Sequence, residues 1–167
     1  MIGYGIESGN QRSLESIKKN VSIDKAKQAL TSTRKAGIRA LGFFILGLPG
    51  ESEVDISNTL TFANKLPLDR VVFFMTQPFP GSEMYRTLSA QGQLNNDVSY
   101  RYYHNYCFPE KLSFVAQGLS INILRKYRKK AYRDFYLRPG YIFRQAMHAP
   151  EISKLPRRLK AFLKAIW

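Results

Sequence analysis

Three short polar stretches, each directly after an apolar run, hold the side chains of this 167-residue chain best suited to chemistry. In the first, Glu7-Ser8-Gly9-Asn10, a carboxylate at a strand end could accept hydrogen bonds from ribose hydroxyls or an amino group. That carboxylate could equally be an exposed charge at a helix entry, and Ser8 could be only a cap. In the second, Gly47-Leu48-Pro49-Gly50-Glu51, the glycines permit close approach of backbone to a ligand beside the amides of a helix N-terminus. It has neither the GxxxxGK[ST] spacing nor the lysine of a phosphate-binding loop. A tight structural turn, with Glu51 favouring the positive helix end, explains it as well. The third is Gln77-Pro78-Phe79-Pro80-Gly81. His104 and Cys107, three apart in a tyrosine-rich stretch, are a thin basis for a metal site or a nucleophile.

The elements that must position these stretches are legible in the apolar pattern. Residues 2–6 are strand-like and stop at the ESGN turn. A helix is expected over residues 12–19. Ser22 caps a longer one whose apolar face is Ile23, Ala26, Ala29, Leu30, Thr33 and Ala36, ended by Lys35 and Gly37. Residues 41–46 (LGFFIL) are apolar without alternation, as in a parallel strand covered on both faces. Ser52 caps a third helix running to Lys65, residues 70–75 form another buried strand, and a helix follows over 82–91. Strand and helix alternate three times, the pattern of right-handed βαβ units. In such sheets ligands sit at the C-terminal strand ends, where ESGN, GLPGE and PFPG fall.

Charge divides the chain. Residues 1–110 hold 12 basic and 10 acidic side chains, whereas residues 111–167 hold 14 and 2. A long basic amphipathic helix is expected from Leu112 to about Leu137, stopped by Arg138-Pro139-Gly140, with shorter helices over 141–148 and 152–167. The basic excess fits a solvated tail, a phosphate-rich RNA or an anionic membrane surface, into whose interface Trp167 could dip. The aromatic connector around Tyr100, Tyr102, Tyr103 and Tyr106 is expected to pack over the sheet; stacking on bases is the alternative. These shifts divide the chain at 1–91, 92–110 and 111–167. A single cysteine excludes an internal disulfide framework and any multi-cysteine zinc or iron–sulfur site made by this chain alone. No apolar run approaches the roughly 18 residues of a membrane span, and the first residues lack a secretory pattern, so a reduced cytoplasmic setting, with peripheral contact at the inner membrane, is expected.

Taken in order, the three stretches resemble the radical S-adenosylmethionine (SAM) enzymes. Gly5-Ile6-Glu7-Ser8-Gly9 with Gln11, Leu14, Ile17 and Lys18 resembles their fourth strand and helix. Phe43-Phe44-Ile45-Leu46-Gly47-Leu48-Pro49-Gly50-Glu51 resembles the fifth strand and its loop, and Pro78-Phe79-Pro80-Gly81-Ser82-Glu83-Met84-Tyr85 the element after the sixth. The segment Tyr132 to Pro139 is similar to the subgroup with a cobalamin-binding domain, the magnesium-protoporphyrin cyclase group. The resemblance implies an α/β fold, the last three βα units of a partial parallel barrel, followed by a mostly helical basic C-terminal region. It implies SAM and a four-iron four-sulfur cluster, which together generate a 5′-deoxyadenosyl radical, and either oxidoreductase or cobalamin-dependent methyl-transfer chemistry. Glu7 and Ser8 would then contact the ribose or methionine end of SAM. Gly47, Leu48, Pro49 and Gly50 would line the adenine side, and Gln77 and Pro78 the floor under the adenosyl group. The CxxxCxxC cluster loop is not in this sequence. The expectation is therefore a fragment or split subunit, inactive alone, whose partner is the other half of the barrel. The alternative is a non-catalytic basic module for RNA or an anionic membrane.

Overall fold

The structure, a computed structural model, describes residues 1–95 and 111–147, with side chains as far as residue 143. The aromatic connector, His104, Cys107, the terminal helix expected over 152–167 and Trp167 lie outside the described residues. Three strands, β1 (Ile2–Glu7), β2 (Ala40–Leu46) and β3 (Arg70–Met75), form one parallel sheet in the order β1-β2-β3. Between β1 and β2 run α1 (Gln11–Ser16) and α2 (Ile23–Lys35). Next come α3 (Glu53–Lys65), between β2 and β3, and α4 (Glu83–Ala90), after β3. The described C-terminal part holds α5 (Ile121–Tyr136) and α6 (Pro139–Met147). This is the α/β, partial-barrel arrangement that the alternation of strands and helices implies.

The helix ends follow from local chemistry. Ser22, Ser52, Ser82 and Ser120 each accept a hydrogen bond from the backbone amide three residues on, satisfying a donor that the helix itself leaves unpaired. At Ser52 the box is reciprocal, since Asp55 accepts from the Ser52 amide at 2.8 Å. Those bonds to Ser52 hold the Asp55 carboxyl below its usual range. After α2 the chain turns at Gly37 with φ +70°, a conformation glycine adopts without steric cost.

One face of the sheet is the core. Ile6, Ala40, Phe44, Leu46, Val71, Phe73 and Met75 are buried against Leu30 of α2, Ile56, Leu60 and Ala63 of α3, and Leu124, Ala131 and Phe135 of α5. Phe44 and Phe73 stack across β2 and β3 with ring centroids 5.2 Å apart. The opposite face differs from the expectation of strands covered on both sides. Leu41, Phe43, Ile45, Val72 and Phe74 are only half-buried, and burial alternates along β2 and β3. The apolar run of β2 satisfies one packed face and one partly open face.

The basic segment also departs from expectation. Its helix starts at Ile121 rather than Leu112. Gly118 at φ +82° and the Ser120 cap break the helical pattern ahead of it. Residues 112–116 instead form a buried strap against the end of β3, with Leu112, Ser113, Phe114 and Ala116 all buried. The Asn95 amide donates to the Ser113 carbonyl, and the Ser113 amide donates to Gln77 Oε1. From there α5 descends along the outer edge of β3. Tyr132 Oη accepts from the Phe73 amide at 3.1 Å, Tyr136 Oη from the Val71 amide at 3.3 Å, and Tyr141 Oη donates to the Asp69 carbonyl at 3.2 Å. Side chains thus close an edge that would otherwise offer unpaired backbone groups.

Candidate functional site

The C-terminal end of β1 combines a bulge with one of the two non-glycine residues at positive φ among the described residues. Gly5 pairs with Phe43, yet Glu7 pairs with Phe44, so β1 gains a residue in a bulge and Glu7 is re-aimed. Glu7 sits at φ +67°, in the left-handed region that a non-glycine residue enters at a cost of roughly 1–2 kcal/mol. Its carboxylate folds back over Gly5, where an ideal Cβ would stand only 2.5 Å from Glu7 Oε1. Gly5 is therefore the space that carboxylate occupies. Lys19 Nζ donates to the same Oε1 at 3.1 Å, a half-buried ion pair closing the mouth of the strand. Ile6, between them, points into the core. Glu7 thus projects on the open side of the sheet, as Gly3 and Phe43 do.

Ser8 lies differently. It is fully buried, donates to Glu51 Oε1 at 3.1 Å and shares a hydrogen bond with Thr59 of α3. The Gly9 amide and Asn10 side chain reach the same Thr59 hydroxyl, so the β1 loop is pinned to α3. Glu51 is the centre of this network. Its Oε2 accepts from the Gly47 and Leu48 amides, both at 3.0 Å. Burial pushes the Glu51 carboxyl up, against the opposing pull of hydrogen bonds from Ser13, Leu48, Ser8 and Gly47. The Gly47 and Leu48 amides are thereby engaged inside the loop. Glu51 acts as an internal brace rather than a helix-end charge.

Of the loop residues, Gly47 and Leu48 are buried, Pro49 is half-buried and Gly50 is exposed. Gly47 has φ +76°, and a Cβ there would stand 2.9 Å from Leu124 Cδ2. Its missing side chain makes room for Leu124 of α5. At the end of β3, Gln77 and Pro78 are buried. Gln77 spends Oε1 on the Ser113 amide, while its Nε2 and the Ser113 hydroxyl have no hydrogen-bond partner among the described residues. Such buried, unsatisfied groups are uncommon, and each marks a place where a further partner would be stabilising. The structure thus links Ser8 with the Gly47–Leu48 amides through Glu51, sets Glu7 apart on the open side, and joins Gln77 to Ser113. Lys19, Gly5, Thr59 and Ser113 were missed by sequence reasoning. Only Gly5, two residues before a strand-end carboxylate, left a trace there. Among the described residues no group of three or more His, Cys, Asp or Glu side chains could hold a metal ion.

No family model matches the chain. Curated relatives do. An uncharacterised methyltransferase of Pyrococcus horikoshii is 33% identical over 142 residues, covering 84% of this chain and 30% of the relative. The anaerobic magnesium-protoporphyrin IX monomethyl ester cyclase of Cereibacter sphaeroides is 28% identical over 98% of this chain and 26% of its own length. A tRNA-2-methylthio-N(6)-dimethylallyladenosine synthase of Pseudomonas syringae is 34% identical over 46% of this chain and 18% of its own length. The chain spans less than a third of each of these relatives. With the order of its three strand-end elements, these similarities relate the chain to the radical SAM superfamily.

Proposed function

We infer that the chain supplies a cofactor-facing part of a radical SAM barrel, with Glu7 contacting the ribose or amino end of SAM. The observation carrying this reading is the strained bulge at Glu7, whose carboxylate projects on the open side of the sheet across from a fully packed core. Backbone strain of this kind persists where surrounding structure enforces it, and concentrates at ligand sites. The unpartnered Gln77 Nε2 and Ser113 Oγ at the end of β3 fit a ligand rich in hydrogen-bonding groups. Lys19 would orient the Glu7 carboxylate, leaving its second oxygen for a cationic or hydroxyl partner.

The iron–sulfur cluster does not fit this chain, because three thiolates are needed and Cys107 is the lone cysteine. It would belong to a segment carrying the other strands, paired along the edge of β1 that β2 does not occupy. When bound beside such a cluster, SAM supplies radical chemistry, and the residues of this chain bind and orient it. Oxidoreductase and cobalamin-assisted methyl-transfer outcomes are both compatible with that role.

Equilibrium dialysis of the chain with labelled SAM tests the reading. Weak binding that Glu7→Ala lowers about tenfold, as expected for loss of a charge-assisted hydrogen bond, supports it. Equal binding by both proteins removes Glu7 from the site.

A further inference from the structure

The opposite end of the sheet has a different character. The N-terminal strand ends, the turns 36–39 and 66–69 and the α5–α6 junction meet there, brought together by the Tyr136–Val71 and Tyr141–Asp69 hydrogen bonds. A recess of about 420 Å³ opens between them, lined by Arg34, Lys65, Arg138 and the first residues of α6 at Gly140 and Tyr141. Arg138 is anchored from within, donating to the Phe135 and Asn64 carbonyls and lying over the Phe135 ring. Arg34 and Lys65 are exposed. On the neighbouring elements, Asp69 accepts from the Ala40 amide and Asp134 pairs with Lys130. The recess lining holds three cations, Arg34, Lys65 and Arg138, and no carboxylate.

Exposed apolar side chains belong to the same elements. Phe143 is 68% exposed, Ile142 51%, Leu137 48% and Ile38 41%, four of the nine large exposed hydrophobics among the described residues. Leu137, Ile142 and Phe143 fall on the residues flanking the recess in sequence. Scattered single hydrophobics need no explanation, but three exposed apolar residues in the segment that also supplies Arg138, Gly140 and Tyr141 to a cationic recess do. We propose that this end of the molecule docks on an anionic lipid bilayer, with Arg34 and Lys65 binding headgroup phosphates and Ile142 and Phe143 entering the interface. Lysine and arginine at the phosphate level with adjacent aliphatic and aromatic side chains is the composition of a peripheral membrane surface. Nucleic acid is the poorer fit, since of Leu137, Ile142 and Phe143 only Phe143 could stack on a base, whereas all three suit a lipid interface. The face lies away from Glu7, so docking leaves the cofactor side accessible, and the inference stands independently of the SAM reading.

Sedimentation of the full chain with phosphatidylcholine vesicles, with and without phosphatidylglycerol, tests it. Binding is expected only to the phosphatidylglycerol vesicles and to weaken with salt. Arg34→Gln and Lys65→Gln should each cost about fivefold, and Ile142→Ser with Phe143→Ser about tenfold or more, with unchanged melting curves. Absence of binding to anionic vesicles would overturn the proposal. So would binding indifferent to the Ile142/Phe143 pair, or displacement by an RNA oligonucleotide equally well in the wild type and that double variant.

Discussion

The Tyr132 hydroxyl accepts a hydrogen bond from the Phe73 amide at 3.1 Å, so the outer edge of β3 is closed by a helix side chain rather than by a further strand. One helical turn later Tyr136 does the same for Val71. The i, i+4 spacing on α5 thus matches the i, i+2 spacing of outward amides on β3. Burial also pushes the Tyr136 phenol up. The helix that carries most of the positive charge in the described C-terminal part is a structural edge cover on its other face.

Removing either hydroxyl should leave a shielded amide without a partner. Tyr132→Phe and Tyr136→Phe are each expected to lower stability by about 1–3 kcal/mol, measured by urea denaturation. The double variant should expose the β3 edge and aggregate more readily, visible as light scattering. Unchanged stability in both single variants would show that the edge is covered by other means.

Glu51 predicts a pH dependence with a definite sign. Its folded carboxyl titrates above the ordinary value of 4.5, so between the two values the native state binds more protons than the unfolded one. This group's contribution therefore falls as pH rises from about 4.5 through the folded value, and is level above it. Glu51→Gln should flatten that part of the profile while keeping an oxygen for the Gly47 and Leu48 amides. Glu51→Ala, which strips both amides and Ser8 of their partner, should cost about 1–3 kcal/mol or more. Thermal melts across the acid range distinguish the two.

Gly47 and Gly50 make a controlled pair, with φ +76° and +78° in one loop. An added Cβ meets nothing within 4 Å at Gly50 but stands 2.9 Å from Leu124 at Gly47. Gly50→Ala should cost the left-handed backbone penalty alone, about 1–2 kcal/mol. Gly47→Ala should cost clearly more. Leu124→Ala, although destabilising alone, should narrow the difference in a double-mutant cycle.

These contrasts also show which parts of the molecule were legible beforehand. Ser22 and Ser52 mark their helices because capping is local chemistry, and Gly37 marks a helix end for the same reason. The order of strands follows from apolar runs separated by helical periods. The strap at 112–116 was misread as helix because its burial comes from tertiary contact with Gln77 and Asn95, which local periodicity does not encode. Within the candidate site, Glu7 was visible as a carboxylate at a strand end. Its bulge was not, since it depends on pairing with β2. Ser8 and Glu51 looked alike as loop polar groups, yet burial turns them into one internal network.

Glu7 should show the opposed effects of a residue strained for binding. Asparagine tolerates the left-handed region better than glutamate, so Glu7→Asn should leave the melting temperature unchanged or slightly raised. The same substitution should weaken SAM binding. A fall in stability of more than about 1 kcal/mol would mean that the ion pair with Lys19 is structural in the first place.

Amide chemical-shift mapping of the labelled chain during titration with SAM addresses the central assignment most directly. Perturbations are expected at Gly3, Gly5 and Glu7 on the open side of β1, and at Gln77 and Ser113 at the end of β3. Buried-face residues such as Phe44 should shift little. Perturbations confined to the α5–α6 end, or none at saturating cofactor, would contradict the assignment of this sheet face to SAM.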